Sequence, residues 1–166
     1  MKIQTTRFGE VEISDNQIIS MPSGILGFSA EHHFVILEEE AGGPFEWFQS
    51  IETPGLAFVM IDPNFVASDY EFEVSDEQMK KIDAQVEEDI SVRVLITIAR
   101  EFKDTTVNLQ GPILFNLKKR LGMQLVIPDG RYSTRQPLFG DRLSMPPEAE
   151  PAQGKGSEST RQQAIA

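Results

Sequence analysis

The hydrophobic positions of this chain repeat mostly with a period of two, which is the spacing of a β-strand with one face against a core. The clearest run places a β-branched residue at every second position of residues 92–98. A second run, residues 70–74, alternates aromatic or apolar side chains with Glu71 and Glu73. We expect each run to form a strand with one buried face and one polar face.

Shorter β-type runs occur along the rest of the chain, separated by turn-forming Gly, Pro, Asn and Asp residues. They span residues 3–8, 11–13, 34–37, 45–51, 56–61, 106–109 and 123–127. Many short strands at such spacing are typical of a barrel or a sandwich. The sequence therefore predicts a mainly β protein, a small antiparallel β-barrel-like domain with one or two short helices.

One helix is predicted over residues 75–85. Ser75 can cap its start, and Gln78 lies three residues further on, as in a capping box. Met79, Ile82 and Val86 fall at helical spacing, so we expect them to dock the helix on the sheet. A second helical turn is compatible with residues 115–121.

The C-terminal region differs in composition from the rest. Residues 144–166 contain three prolines, two glycines and no large apolar residue except Met145 and Ile165. Such a segment cannot bury enough surface to offset the entropy lost on ordering. We expect one ordered domain over residues 1–143, followed by a disordered tail over residues 144–166.

Composition narrows the functional classes. The 166-residue chain has no cysteine, which excludes a disulfide framework, a thiolate zinc site and a cysteine nucleophile and suits a reducing compartment. Its N-terminus lacks the apolar run of a signal peptide, and no stretch is long and apolar enough to span a bilayer. These features predict a cytoplasmic protein that does not enter the membrane.

The net charge of −11 is unevenly distributed along the chain. Residues 31–89 hold sixteen acids and two lysines, a net of −14, whereas residues 90–143 hold nine basic residues and four acids, a net of +5. The acidic half is either a solvated surface that keeps the protein soluble or a surface that steers a basic partner. Direct binding to nucleic acid is not expected, because the charge has the wrong sign.

Catalytic and metal-binding motifs are missing from the sequence. The neighbouring His32 and His33 would point to opposite faces of a strand, so we interpret them as a solvent-exposed pair rather than ligands of one metal. The acids occur in adjacent runs such as residues 38–40 and 87–89, and no carboxylate is singled out for acid–base chemistry. We therefore predict a non-enzymatic protein without a cofactor; a hydrolase with an unrecognised carboxylate pair remains an alternative.

Three segments carry more information than composition does. Residues 21–28 form a Pro- and Gly-containing turn in which Ile25, Leu26 and Phe28 are expected to fill the core. Residues 43–50 form an aromatic strand. Residues 105–116 read as a strand, a bend at Gly111-Pro112 and a second apolar segment.

In this order and spacing, the three segments resemble the flagellar assembly factor FliW family of bacteria. The resemblance rests on Gly27-Phe28, on Pro44-Phe45 followed by Phe48-Gln49-Ser50, on the Thr-Val-Asn-Leu run that leads to Asn116, and on Gln124 with the apolar residues after it. It covers about residues 1–140 and leaves out only the tail.

The resemblance implies a small β-barrel-like domain that binds flagellin in the cytoplasm. It also implies binding to CsrA, an RNA-binding translational regulator that represses flagellin synthesis, so that FliW released from secreted flagellin would relieve this repression. For the surface that contacts the regulator, the candidates are four acids expected to form one patch. These are Glu71, Glu73, Asp76 and Glu77, and the second candidate region is Phe115 and Asn116.

A rival interpretation is a small-molecule-binding β-barrel. It requires a cavity lined by aromatic side chains with a few convergent polar groups. Trp47, Tyr70 and Tyr132 are the aromatic residues that could line such a cavity, although large aromatics more commonly fill a core.

Overall fold

Most strands of the protein join into one β-sheet that closes on itself. The computed structural model describes residues 1–128 and 130–139. The strands are β1 Lys2–Thr5, β2 Gly9–Glu12, β3 Ile19–Ser20, β4 His33–Glu38, β5 Phe45–Ser50, β6 Ala57–Ile61, β7 Ser91–Thr97, β8 Thr106–Val107, β9 Ile113–Asn116, β10 Leu121–Gln124 and β11 Gln136–Pro137. One α-helix, α1, spans Asp76–Lys81, and short 3₁₀ turns lie at Asp15–Gln17, Pro63–Phe65, Glu87–Asp89 and Phe102–Asp104.

Seven strands form the closed barrel, in the order β7, β6, β5, β4, β3, β10, β9, with β9 pairing back onto β7. Strand β7 closes the barrel because different parts of it pair with different strands. Residues 91–93 pair with β9, residues 94–96 with β6 and residues 96–97 with β8. The mainly β, barrel-like fold predicted from the sequence is confirmed. The sheet is mixed rather than purely antiparallel, because β3 and β10 run parallel.

The seven shorter runs predicted as strands each contain one, with bounds shifted by a few residues. Strands β3 and β11 were not predicted, because they have two residues each and are too short for a periodic pattern. Strand β9 was not predicted as a strand either, since its residues were interpreted as a second apolar segment and the start of a helical turn. The predicted domain end at residue 143 and the tail over residues 144–166 lie outside the described residues.

Both faces of the β5–β7 sheet are buried. Phe48, Phe58 and Leu95 point into the barrel, whereas Trp47, Val59 and Ile96 point outward into a second core. The outer core is covered by residues 98–109 and 138–139. The prediction of a single buried face on β7 is therefore wrong at residues 94–96, where all three side chains are at most 1% exposed.

Residues 70–74 do not form a strand, contrary to the prediction. Their alternation is nevertheless present, since Tyr70, Phe72 and Val74 are half-buried against the apolar cluster below α1 while Glu71 and Glu73 are exposed. The alternation in residues 70–74 therefore indicates which side chains are buried, and it does not indicate a strand. In the described part of the chain, no strand lies alongside to supply a hydrogen-bonded ladder.

Helix α1 begins as predicted, with Ser75 as the N-cap and both hydrogen bonds of the capping box present. It ends earlier than predicted, because Asp83 adopts a φ of 54° that turns the chain out of the helix. Met79 and Ile82 pack on the sheet, but Val86 lies beyond the helix and is 51% exposed. Residues 115–121 are not helical: β9 runs to Asn116, and a tight turn leads into β10 at Leu121.

Candidate functional site

The predicted acidic patch lies on a surface built from three parts: residues 70–75, which we call the edge segment, the first turn of α1, and residues 125–128. Leu125 and Ile127 are buried in the cluster that also receives Ile82 and Leu114. Phe72, Val74 and Met79 pack against the same cluster. This shared apolar support positions the edge segment beside residues 125–128.

Two tyrosines hold the start of the edge segment. The Tyr70 hydroxyl donates to the backbone oxygen of Leu109 at 2.6 Å, and burial, together with the neighbouring Tyr132, raises the pKa of the Tyr70 phenol, so it remains a neutral donor. The Tyr132 hydroxyl accepts from the Glu71 amide at 3.0 Å and donates to the Glu71 carbonyl at 3.1 Å. The Arg131 guanidinium donates to the same carbonyl at 3.4 Å.

The capping box of α1 holds the other end of the segment. The Ser75 amide donates to the Gln78 side-chain oxygen at 2.8 Å, and the Gln78 amide donates to the Ser75 hydroxyl at 3.1 Å. Asp76 and Glu77 lie in the first turn, where negative charge interacts favourably with the helix dipole. Asp76 and Glu77 thus stabilise the start of α1, whether or not they also contact a partner.

Between these anchors, the backbone lacks hydrogen-bond partners. Within residues 1–128 and 130–139, the amides and carbonyls of Phe72, Glu73 and Val74 make no hydrogen bond. The segment therefore stays in place through its side chains and its two ends, and its central backbone groups are available to other molecules.

A groove of about 430 Å³ separates the edge segment from residues 125–128. Its apolar lining is formed by Phe72, Val74, Leu125, Val126 and Ile127. Its polar lining includes Glu73, Gln78 and Arg131. The exposed Val126 side chain is one of the few large apolar groups that the described surface leaves open to solvent.

Some acids of the described chain are paired with a basic side chain and others are not. Asp83 pairs with Lys119 at 3.2 Å, Asp89 with Lys118 at 3.9 Å, and Glu46 with Arg93. Four exposed acids on the edge segment and the first turn of α1 form no ion pair with any described residue, as is also true of Glu87 and Glu88, and of these four only Glu73 lines the groove. We call these four the acidic rim: Glu71, Glu73, Asp76 and Glu77.

Phe115 and Asn116, the second predicted region, lie inside the protein. Phe115 is 1% exposed and packs against Phe48 in the barrel interior, and Asn116 is 2% exposed. The Asn116 amide donates to the backbone oxygens of Ile82 and Asp83, both at 3.0 Å. Neither side chain offers a contact surface, because one fills the core and the other fixes the end of α1 to β9.

Leu26 is a surface residue that the sequence analysis placed in the core. It is 60% exposed, at the tip of a tight turn closed by backbone hydrogen bonds between Ile25 and Phe28. The turn requires glycine at position 24, where φ is 67° and a Cβ atom would lie 2.5 Å from the Phe28 carbonyl oxygen. The Leu26 amide donates to the Gln124 side chain at 2.8 Å. The neighbouring Gly27 was the signal in the sequence that Leu26 lies at the tip of a turn.

None of the three depressions given by the described residues is lined by the aromatic residues proposed for a ligand cavity. Trp47 is 2% exposed in the outer core, and Tyr70 and Tyr132 contact each other at a ring distance of 4.6 Å. The groove and two further depressions, beside residues 38–46 and 7–11, are lined by other side chains.

The described ranges, residues 1–128 and 130–139, contain neither a cluster of metal ligands nor a membrane-spanning helix. No group of three or more His, Asp or Glu side chains there could hold a metal ion, and His33 instead contacts Glu52 at 3.0 Å. None of the helices in the described ranges has the length and hydropathy to cross a membrane.

Comparison with known proteins gives a consistent result. The family model described as FliW protein matches residues 2–138. The flagellar assembly factor FliW of Natranaerobius thermophilus is 41% identical over 143 residues, which cover 86% of this chain and 95% of that protein. The FliW of Geobacter sulfurreducens is 41% identical over 139 residues, covering 84% and 87%. A crystal structure of the flagellar assembly factor FliW matches with a TM-score of 0.80 and 38% identity, covering 86% of this chain and 100% of that one.

Proposed function

The chain belongs to the FliW family of flagellar assembly factors, which are not enzymes, and from this premise we propose that it binds two protein partners in the cytoplasm. The first is flagellin. The second is a CsrA-type regulator, whose repression of flagellin synthesis the protein relieves when it is not occupied by flagellin.

The acidic rim is the observation that supports the second partner. Its four carboxylates are exposed and have no ion-pair partner among the described residues, so their field acts on whatever approaches the groove. An RNA-binding regulator carries basic groups that complement this field. Once the regulator is docked, RNA phosphates that come within about 8–10 Å, a Debye length in physiological salt, are repelled by the same carboxylates.

This repulsion can act without overlap between the two binding sites. If RNA and the protein bind different surfaces of the regulator, their mutual repulsion is a coupling free energy, and each reduces the affinity of the regulator for the other. The mechanism needs charge at the edge of the interface, whereas contact with the RNA-binding residues is unnecessary.

The test reverses two rim charges. In the variant Glu71→Lys/Glu73→Lys we expect an intact fold, because both side chains are exposed, and a slower association with the CsrA-type regulator. The dependence of the association rate on salt should also become weaker. Stopped-flow measurements at low and high ionic strength give both quantities.

A matched control reverses the same number of charges away from the groove. Glu87 and Glu88 are also exposed acids, so Glu87→Lys/Glu88→Lys changes the net charge equally without touching the acidic rim. If the rim variant and the control associate at the wild-type rate in both salts, the acidic rim is a solvated surface only.

Flagellin binding provides the second readout. We expect it to change less in the rim variant, because we propose that flagellin is held by apolar contacts rather than by the acidic rim. A pull-down from cell extract read by mass spectrometry should recover flagellin with the wild-type protein. Recovery of neither partner, together with a melting shift by a small molecule, would instead support the rival ligand-binding function.

A further inference from the structure

The edge segment has the alternation of a β-strand and no strand beside it. Its side chains alternate between half-buried and exposed from Tyr70 to Val74, as in a strand on a core. Its central backbone groups have no hydrogen-bond partner within the described ranges. An exposed backbone edge of this kind is a template for pairing with another chain.

The direction of the free backbone groups follows from their neighbours. In an extended chain the amide and carbonyl of residues i and i+2 point to the same side. Those of Glu71 point to Tyr132 and Arg131, which hold them by hydrogen bonds. The backbone groups of Glu73 therefore point to the side where Arg131 and the groove lie.

On the opposite wall of the groove, the backbone of Val126 also lacks a hydrogen-bond partner in the described structure. The amides of Leu125 and Ile127 donate to Pro112 at 2.8 Å and Gln110 at 2.9 Å, so that these groups point away from the groove. By the same alternation, the amide and carbonyl of Val126 point toward it. They too make no hydrogen bond with a described residue.

We propose that the groove is a strand-addition site, in which an extended basic segment of a protein partner pairs its backbone with Glu73 and Val126. The main-chain hydrogen bonds supply affinity, and the apolar part of the lining accepts alternate side chains of the added segment. The groove lining holds one acid, Glu73, and one base, Arg131, and three further exposed acids of the acidic rim flank it on the edge segment and the first turn of α1; the basic character of the occupant follows from this excess of acids.

This inference rests on the proposed function, because it describes how the basic regulator is held. It goes beyond that function in assigning the contact to the backbone of two named residues. The two can fail separately, since the regulator could bind through the charges of the acidic rim without adding a strand.

The test compares proline and alanine at the same positions in the full-length protein. Proline removes the amide donor while alanine keeps it, and neither Glu73 nor Val126 uses its amide within the described structure. With the CsrA-type regulator as the probe, we expect Glu73→Pro and Val126→Pro to weaken binding by about tenfold each, measured by calorimetry. This loss of about tenfold is measured relative to Glu73→Ala and Val126→Ala, which lose the same side chains as the proline variants but keep the backbone amide.

Hydrogen exchange of the wild-type protein supplies a measurement that does not depend on the variants folding. The Glu73 and Val126 amides should exchange rapidly in the free protein and become protected in the complex. If the regulator binds wild type without protecting either amide, or binds the folded proline variants normally, strand addition is wrong while the proposed function stands. If neither the regulator nor flagellin binds wild type, both are wrong.

Discussion

The edge segment and strand β7 have the same alternating pattern in sequence, and the structure stabilises them in different ways. Strand β7 is paired to β6, β8 and β9 and is buried on both faces at residues 94–96. The edge segment contacts the core through one face, and three of its residues have no backbone hydrogen bond in the described structure. Strand β7 closes the barrel, whereas the edge segment forms one wall of an open groove.

The difference shows what alternation measures. A period of two reports that successive side chains face different environments, and an extended chain on any apolar support satisfies that condition. Whether a neighbour supplies hydrogen bonds depends on parts of the chain that are distant in sequence. The same pattern can therefore occur in a central strand or in an unpaired extended segment that can bind a strand from another molecule.

The largest expected effect tests the two buried faces of β7. Val94→Ala and Leu95→Ala should each lower the free energy of unfolding by about 2–4 kcal/mol, because each leaves a cavity in a different core. Urea denaturation measures both losses. A much smaller loss for Leu95→Ala would mean that the barrel interior is loosely packed, and the contrast with the edge segment would weaken.

An effect of intermediate size concerns the anchor of the edge segment. Tyr132→Phe removes the hydroxyl that bridges the amide and carbonyl of Glu71, and should cost about 1 kcal/mol. Exchange of the Glu71 amide should accelerate, while amides in β7 should be unaffected. Equal acceleration in both places would show that the segment opens only when the whole barrel unfolds.

A smaller effect concerns the entry to β7. The Asp89 carboxylate accepts the amides of Gln85 and Val86 just before the strand, and these hydrogen bonds lower the pKa of Asp89. A lowered pKa in the folded state stabilises the protein above the pKa of the unfolded chain, and this contribution is lost as the pH falls through the folded value. Asp89→Asn should therefore lower the melting temperature at pH 7 more than at pH 3, which calorimetry at the two pH values would show. The same loss at both would contradict a role for the ionised carboxylate.

The smallest expected effect is at Glu73. Glu73→Ala should change the free energy of unfolding by less than about 0.5 kcal/mol, because the side chain is exposed and unpaired in the described structure. Thermal melting against wild type is sufficient as a measurement. A loss comparable to that of Tyr132→Phe would show that the acidic rim stabilises the edge segment, which would leave it less available to a partner.

Local signals in the sequence predicted the elements that depend only on neighbouring residues. Ser75 and Gln78 specified the start of α1, because a capping box is made within one turn. Runs of β-type residues between turn residues located most barrel strands, and the four acids of the acidic rim were correctly expected to be exposed. Burial of Phe115 and Asn116 was not predicted, because an apolar residue and an amide can occupy either a surface or a core.

Tertiary structure alone decided how the elements meet. The parallel pairing of β3 with β10 joins residues about a hundred positions apart, and no local pattern encodes such a partner. An apolar residue such as Leu26 can lie in a core or at the tip of a turn. In the structure, Gly24 packs closely against Phe28 in a tight turn, and Leu26 lies exposed at its tip. The sequence by itself determined the period, the charge and the caps, since these arise within a few residues. Closure of the barrel on β7 and the unpaired backbone of the edge segment depend on which distant strands are present and which are not.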